Sequence, residues 1–263
     1  MSGARKLTTG ALASALLALI AIAGGALALV AAWPAQAQPQ YYYPPWAVPP
    51  GYAPRPQRPV QKRAPPAETA TPGTTTPGAA VDGTELLKRG DSFAERGDFD
   101  RAIEQYNRAI KGDAASMPEA YYRRGLAYSR KSDHRRAVAD FDEAIKLDPN
   151  DAASFNGRCW ERALLGQLEQ ALEDCNAALK IKGDDGNALD SRAFTYLKLE
   201  RYDEAIADYD AALALEPKVA GSLYGRGMAK LKKGDAAGSK ADLAAARALR
   251  ADIARDFAKY GIK

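Results

Sequence analysis

Residues 121–150 read YYRRGLAYSRKSDHRRAVADFDEAIKLDPN. Gly125, Ala137, Phe141, Ala144 and Pro149 punctuate a stretch otherwise crowded with charge, and their distances decide the fold. Tyr121, Gly125 and Tyr128 stand at i, i+4 and i+7, one face of a helix. Lys131-Ser132-Asp133 supplies a turn. Ala137, Phe141, Ala144 and Ile145 mark one face of a second helix, which Asp148-Pro149-Asn150 ends. The stretch therefore predicts a helical hairpin. Small facing residues let two helix axes approach so that ridges enter grooves. Pro149 forbids the second helix from running on.

The hairpin recurs. From Ala137 a period of 34 leads to Ala171, Ala205 and Ser239, and Ala102 precedes it with one extra residue in the intervening loop. A small column reads Gly90, Gly125, Cys159, Ala193, Gly227, and a bulkier one Tyr106, Phe141, Cys175, Tyr209, Leu243. A third is alanine throughout: Ala109, Ala144, Ala178, Ala212, Ala246. The breaker column holds Pro149 and Pro217, with Gly183 between them. Five units result, 83–117, 118–151, 152–185, 186–219 and 220–253, and such a period specifies a stacked repeat array.

These units resemble tetratricopeptide repeats, whose pattern is W-x2-L-G-x2-Y, then A-x3-F, then A, then P. The second unit holds nearly every element, and LDSRAFTYLKLERYDEAIADYDAALALEP of the fourth holds almost as many. The third departs at Cys159, Arg162 and Gly183, the fifth at Ser239 and Ala251. The resemblance covers about two thirds of the chain. It implies an all-α, right-handed solenoid of five helix-turn-helix units. Residues 254–263 complete a short capping helix, with Ile253, Phe257 and Tyr260 on the side that covers the last apolar face.

The N-terminus is of another kind. Arg5 and Lys6 precede an almost wholly apolar run from Ala11 to Ala32, and Ala35-Gln36-Ala37 has the form of a cleavage site. Residues 1–37 read as a secretory signal peptide cut before Gln38. The rival is an uncleaved membrane anchor, since the run is long enough to span a bilayer. Either way the rest of the chain is expected outside the cytoplasm, periplasmic or secreted, or tethered to the inner membrane. Residues 38–82 hold most of the 16 prolines and read as a disordered, extended linker. Its aromatics, Tyr41, Tyr42, Tyr43, Trp46 and Tyr52, are candidates for a partner contact, against a bland reading as a solvated spacer.

The formal charge of +4 resides in Arg5, Lys6, Arg55, Arg58, Lys62 and Arg63, offset by Glu68 and Asp82. The repeats balance acid against base, which argues against nucleic acid. One column departs from the family pattern in all five units: Arg89, Arg124, Arg158, Arg192, Arg226, where the pattern has Leu. A second reads Gln105, Asp140, Asp174, Asp208, Asp242. Arg124 lies about 60° from Tyr121 around the helix, on the side of the second helix. The arginines therefore predict a structural ladder onto the aspartates, each of its own or the adjoining unit, weakest in the first unit. An anionic polymer bound by five arginines is the alternative.

In the family, the first helices of successive units line a concave surface that holds a partner peptide. The columns on their free side are Tyr122, Asn156, Asp190, Tyr224 and Leu126, Trp160, Phe194, Met228, with Lys198 and Lys232 further round. Hairpin packing does not need those apolar residues, so they predict an exposed binding strip. The alternative is that a neighbouring turn of the superhelix, or the linker folding back, covers it. The family's carboxylate clamp is absent, because its positions hold Leu87, Asp91 and Arg123.

Cys159 and Cys175 fall on opposite helices of one hairpin and replace a small-with-bulky pair, so they are expected to be neighbours. An even count outside the cytoplasm favours a disulfide, and two buried thiols remain the alternative. The one histidine, His134, reads as a solvated turn residue, so neither a histidine-based triad nor a paired-histidine metal site is available. No P-loop or dinucleotide fingerprint is present. No cofactor or metal is expected. The implied function is a non-catalytic scaffold of the bacterial cell envelope that grips a protein or peptide, with membrane contact only through an uncleaved N-terminus. Two other readings use the linker: a membrane-tethered assembly factor, or a cell-wall or polysaccharide-associated protein.

Overall fold

A computed structural model describes residues 82–112 and 117–263; the expected leader and nearly all of the Pro-rich segment lie outside the described residues. Five helical hairpins follow one another: α1 (Gly83–Glu95) with α2 (Phe99–Gly112), α3 (Met117–Arg130) with α4 (His134–Leu147), α5 (Ala152–Leu164) with α6 (Leu168–Ile181), α7 (Gly186–Lys198) with α8 (Tyr202–Leu215), and α9 (Ala220–Lys232) with α10 (Ala236–Leu249). A last helix, α11, spans Ile253–Lys259. Among the described residues there is no strand, and no helix is long and apolar enough to cross a membrane.

Local chemistry sets the helix ends. Asp82, Asp151 and Asp185 each accept a hydrogen bond from the first-turn amides of α1, α5 and α7, and Asp133 and Asp235 do the same for α4 and α10. Four second helices leave through an extended residue: Asp148, Lys182, Glu216 and Arg250. Each donates its amide to the carbonyl of the alanine four residues back, Ala144, Ala178, Ala212 or Ala246. Pro149 and Pro217 drive the residue before them out of the helical region. Lys182 and Arg250 reach the same geometry without a proline, so the irregular third and fifth units keep the exit of the others. Inside each hairpin the turn places one residue at positive φ: Gly97, Ser132, Gly166, Glu200 and Gly234.

Large rings wedge into small-residue gaps. Phe141 is fully buried, and a Cβ on either Gly125 or Gly157 would sit 3.0 or 2.7 Å from its ring. One ring thus packs against α3 of its own hairpin and α5 of the next. Tyr209 repeats the arrangement, with a Cβ on Gly225 falling 2.2 Å from its hydroxyl. The third hairpin has no ring here. Cys159 and Cys175 are bridged instead, with Cα atoms 5.4 Å apart.

The arginine column ties the hairpins together. Arg124 forks onto Asp140 with bonds of 2.8 and 2.6 Å, and Arg158 onto Asp174 at 2.9 and 2.5 Å. Arg192 takes Asp208 at 2.6 and 2.8 Å, and Arg226 takes Asp242 at 2.8 and 2.6 Å. The remaining guanidinium nitrogen of each reaches back to the preceding hairpin, to Asn107, Asp142, Asn176 and Asp210 in turn. Every such arginine therefore links its own two helices and the second helix before it. The first unit has no such rung. Gln105 offers a neutral amide and accepts from Arg108, while Arg89 turns to Glu85 at 2.9 Å.

The stacking defines an inner side. α2, α4, α6 and α8 each pack onto the first helix of the following unit, while α3 touches α5, α5 touches α7 and α7 touches α9. First helices that meet directly lie on the tighter circumference, so they form the inner wall.

Candidate protein-binding wall

The inner wall is aromatic where the third, fourth and fifth units meet. Trp160 of α5 and Phe194 of α7 pack with ring centroids 4.8 Å apart, and Tyr224 and Met228 continue the surface on α9. The expected open strip is not open. Trp160 and Phe194 are 0% exposed, Met228 is 5% exposed, and Tyr224 is buried as well. Of that column only Leu126, at the near end, is half-buried. This corrects the sequence expectation, and α11 is one element that covers the strip.

α11 packs on α9 and α10 of the last unit, as expected of a C-terminal cap, and also reaches back across the wall. Tyr260 meets Trp160 and Phe194 edge-on at 5.8 and 5.9 Å, and Phe257 meets Phe194 at 6.1 Å and Tyr224 at 4.6 Å. Ile253 and Phe257 are fully buried. The outward face of α10 presents Ala237, Lys240, Ala241, Ala244 and Ala248, with Leu249 as its one large exposed apolar side chain. That is a smaller apolar surface than the aromatic wall, so the apolar side of α11 goes to the wall. Aromatic pairs of this geometry add to the burial itself.

The polar positions nominated for the groove are also largely inside. Tyr122, Asn156 and Asp190 are buried against neighbouring helices. Burial lifts the Tyr122 phenol above its ordinary range and raises the Asp190 carboxyl to about 8, although Ser222 Oγ donates to it at 2.5 Å. Asp190 thereby joins the fourth unit to the fifth, while Tyr122 packs on Phe141 of its own hairpin. Lys198 is half-buried and donates to the Ala163 carbonyl at the end of α5, at 2.8 Å, with its ammonium 5.7 Å from the Phe194 ring centre. Burial holds its pKa down. Lys232 is exposed. The wall is thus assembled by the residues that sequence reasoning placed on it, but it is occupied.

Sequence reasoning missed a buried polar node between the second and third units. Glu161 is 0% exposed; it accepts from Ser129 Oγ at 2.5 Å and sits 2.6 Å from His134 Nδ1. His134 is therefore not a solvated turn residue: it opens α4 half-buried, and its bond to Glu161 raises its pKa. The signal lay in the column Ser92, Ala127, Glu161, Thr195, Ala229, where one carboxylate stands among small residues. The node is no catalytic triad, because the carboxylate takes both bonds and no base touches the serine hydroxyl. No group of three or more metal-ligating side chains gathers among the described residues.

Models of the tetratricopeptide repeat match residues 87–152, 122–187 and 191–219. The chain carries tetratricopeptide repeats. The repeats are similar in fold to MamA, residues 41 to the end, from Desulfovibrio magneticus RS-1, at 21% identity and a TM-score of 0.56, over 66% of this chain and 98% of that one. TTC0263 of Thermus thermophilus, described as a thermophilic protein of this repeat class, matches at 20% identity and 0.56, over 69% and 100%. YrrB, described as having an unusual peptide-binding site, matches at 21% and 0.51, over 68% and 92%. At these identities the likeness concerns the fold. No curated protein matches this chain in sequence. The family-model spans stop at residue 219, before α9, so α11 lies outside them.

Proposed function

We propose that the chain is a non-catalytic scaffold that grips a helical segment of a protein partner on the inner wall of its repeats. The observation that carries this reading is the seating of α11. A seven-residue helix carrying Phe257, with Tyr260 at its C-cap, is accepted across three first helices, so the wall is shaped for a helix. That YrrB, of similar fold, is described as having a peptide-binding site supports the same reading. We place the scaffold outside the cytoplasm, in the cell envelope. The apolar leader with Ala35-Gln36-Ala37 supports export, and the Cys159–Cys175 bridge suits an oxidising compartment.

A photocrosslinking residue at Leu126, on the accessible end of the wall, tests the reading against the same residue at the exposed outer position Leu215. A defined protein captured from Leu126 and not from Leu215 is the expected result. Equal capture at both positions, or none from the wall, overturns it. N-terminal sequencing of the mature chain tests the location: a start at Gln38 is expected.

A further inference from the structure

The wall also states what it would take as a ligand, and this inference rests on the protein-binding reading above. We propose that the wall of the third to fifth repeats docks a short amphipathic helix carrying two aromatic side chains one turn apart, and that α11 is its built-in, displaceable occupant.

Three observations meet here. First, α11 spans only Ile253–Lys259, too short to be helical in isolation, so the wall supplies its stability. Second, its contacts with the wall are made by rings. Phe257 and Tyr260, three residues apart, reach rings on α5, α7 and α9, and Ile253 is buried beside them. The ion pairs of its Asp256 carboxylate, by contrast, run to Arg250 in its own hinge and to its own Lys259. Ring contacts on an aromatic surface are not tied to one backbone. Any helix with the same ring spacing can make them. Third, α11 hangs from α10 by Arg250, Ala251 and Asp252 alone. So short a tether holds the helix at high effective concentration. A free helix must therefore compete, and its apparent affinity falls by the fraction of chains whose wall is open.

The partner's docking segment is accordingly an amphipathic helix with aromatic residues at i and i+3, apolar at i−4 and polar on the outer face, as in IARDFAKY. The probe is a fluorescein-labelled peptide of residues 253–263, titrated into two full-length proteins: the natural chain and the Phe257→Asp, Tyr260→Asp double variant, whose own helix no longer fits. The variant is expected to bind at least about ten-fold more tightly than the natural chain, the discount imposed by a tethered competitor. A peptide with both rings replaced by Asp is expected to bind neither. Equal affinity for both proteins overturns the built-in occupant and leaves the protein-binding reading standing. No binding to a folded variant overturns both.

Should the variant not fold, hydrogen exchange on the natural chain decides. Excess unlabelled peptide is expected to raise exchange in α11 while α9 stays protected. Unchanged α11 protection at saturating peptide overturns the proposal. So does concentration-dependent dimerisation in light scattering, which would make a second copy the occupant.

Discussion

Phe141 is the ring on which two hairpins depend, and its removal gives a quantitative test of the packing. The side chain is 0% exposed, and its neighbours on both flanks are glycines, at Gly125 and Gly157. Phe141→Ala removes the ring and leaves a hole that has no side chain on either facing glycine to relax into it. Its cost is expected in the upper part of the usual Phe→Ala range, about 4–5 kcal/mol. Gly157→Ala alone puts a Cβ 2.7 Å from the same ring, and overpacking of this kind costs about 1–3 kcal/mol. In the double variant the added methyl enters the vacated space, and a helix-interior Gly→Ala exchange is worth about 1 kcal/mol in its favour. The second substitution should then cost nothing or stabilise; the helix preference favours both backgrounds alike and cancels in the cycle, so the coupling between the sites is the relieved overpacking, about 1–3 kcal/mol. Urea denaturation followed by circular dichroism, on all four corners of the cycle, measures it. Additive effects would refute the claim that one ring holds both helices. Because repeats communicate only with their neighbours, hydrogen exchange in the Phe141→Ala protein should also show the first two units opening apart from the last three.

Further outcomes follow from the turns, the buried acid and the bridge. Glu200 carries a side chain at φ 61°, where Gly97, Gly166 and Gly234 stand in other hairpins, so Glu200→Gly should raise stability by about 1 kcal/mol in urea denaturation. Asp190 has its folded pKa raised from 3.8 to about 8, so the native state holds a proton that the unfolded chain releases. Its contribution to stability should fall as pH rises from about 4 to about 8 and level off beyond. His134, also raised, contributes a loss in the same direction through its own titration, so the informative quantity is the difference in urea midpoints between the natural chain and Asp190→Asn at pH 5 and pH 7.5. An unchanged difference would show that the acid is not buried. The Cys159–Cys175 bridge closes a loop of separation 16, and opening it by reduction should cost about 3 kcal/mol on the chain-entropy scale, read as a lower urea midpoint with dithiothreitol.

The hairpins were legible from single columns because their causes are local. The 34-residue spacing of alanines, the breakers near Pro149 and Pro217, and the pairing of Arg124 with Asp140 are each determined within one unit, by helical angle and side-chain reach. The same holds for Cys159 and Cys175, whose nearness follows from the two helices of one hairpin, although only the structure shows them bridged. Positive φ at Ser132 and Glu200 was less legible: neither residue type prefers it, and the neighbouring geometry of the repeat imposes it.

What lies on the wall was another matter. The sequence determined that Trp160, Phe194 and Met228 stand on the inner side and that Ile253, Phe257 and Tyr260 share a helix face. It could not determine that the second set covers the first. Tyr260 and Trp160 are far apart along the chain, and an apolar face specifies only that it must be covered, not by which surface. The tertiary structure decided that, because the curved stack of first helices presents a cluster of aromatic rings where the outer face of α10 presents mostly alanine and charge, with Leu249 its one large exposed apolar side chain.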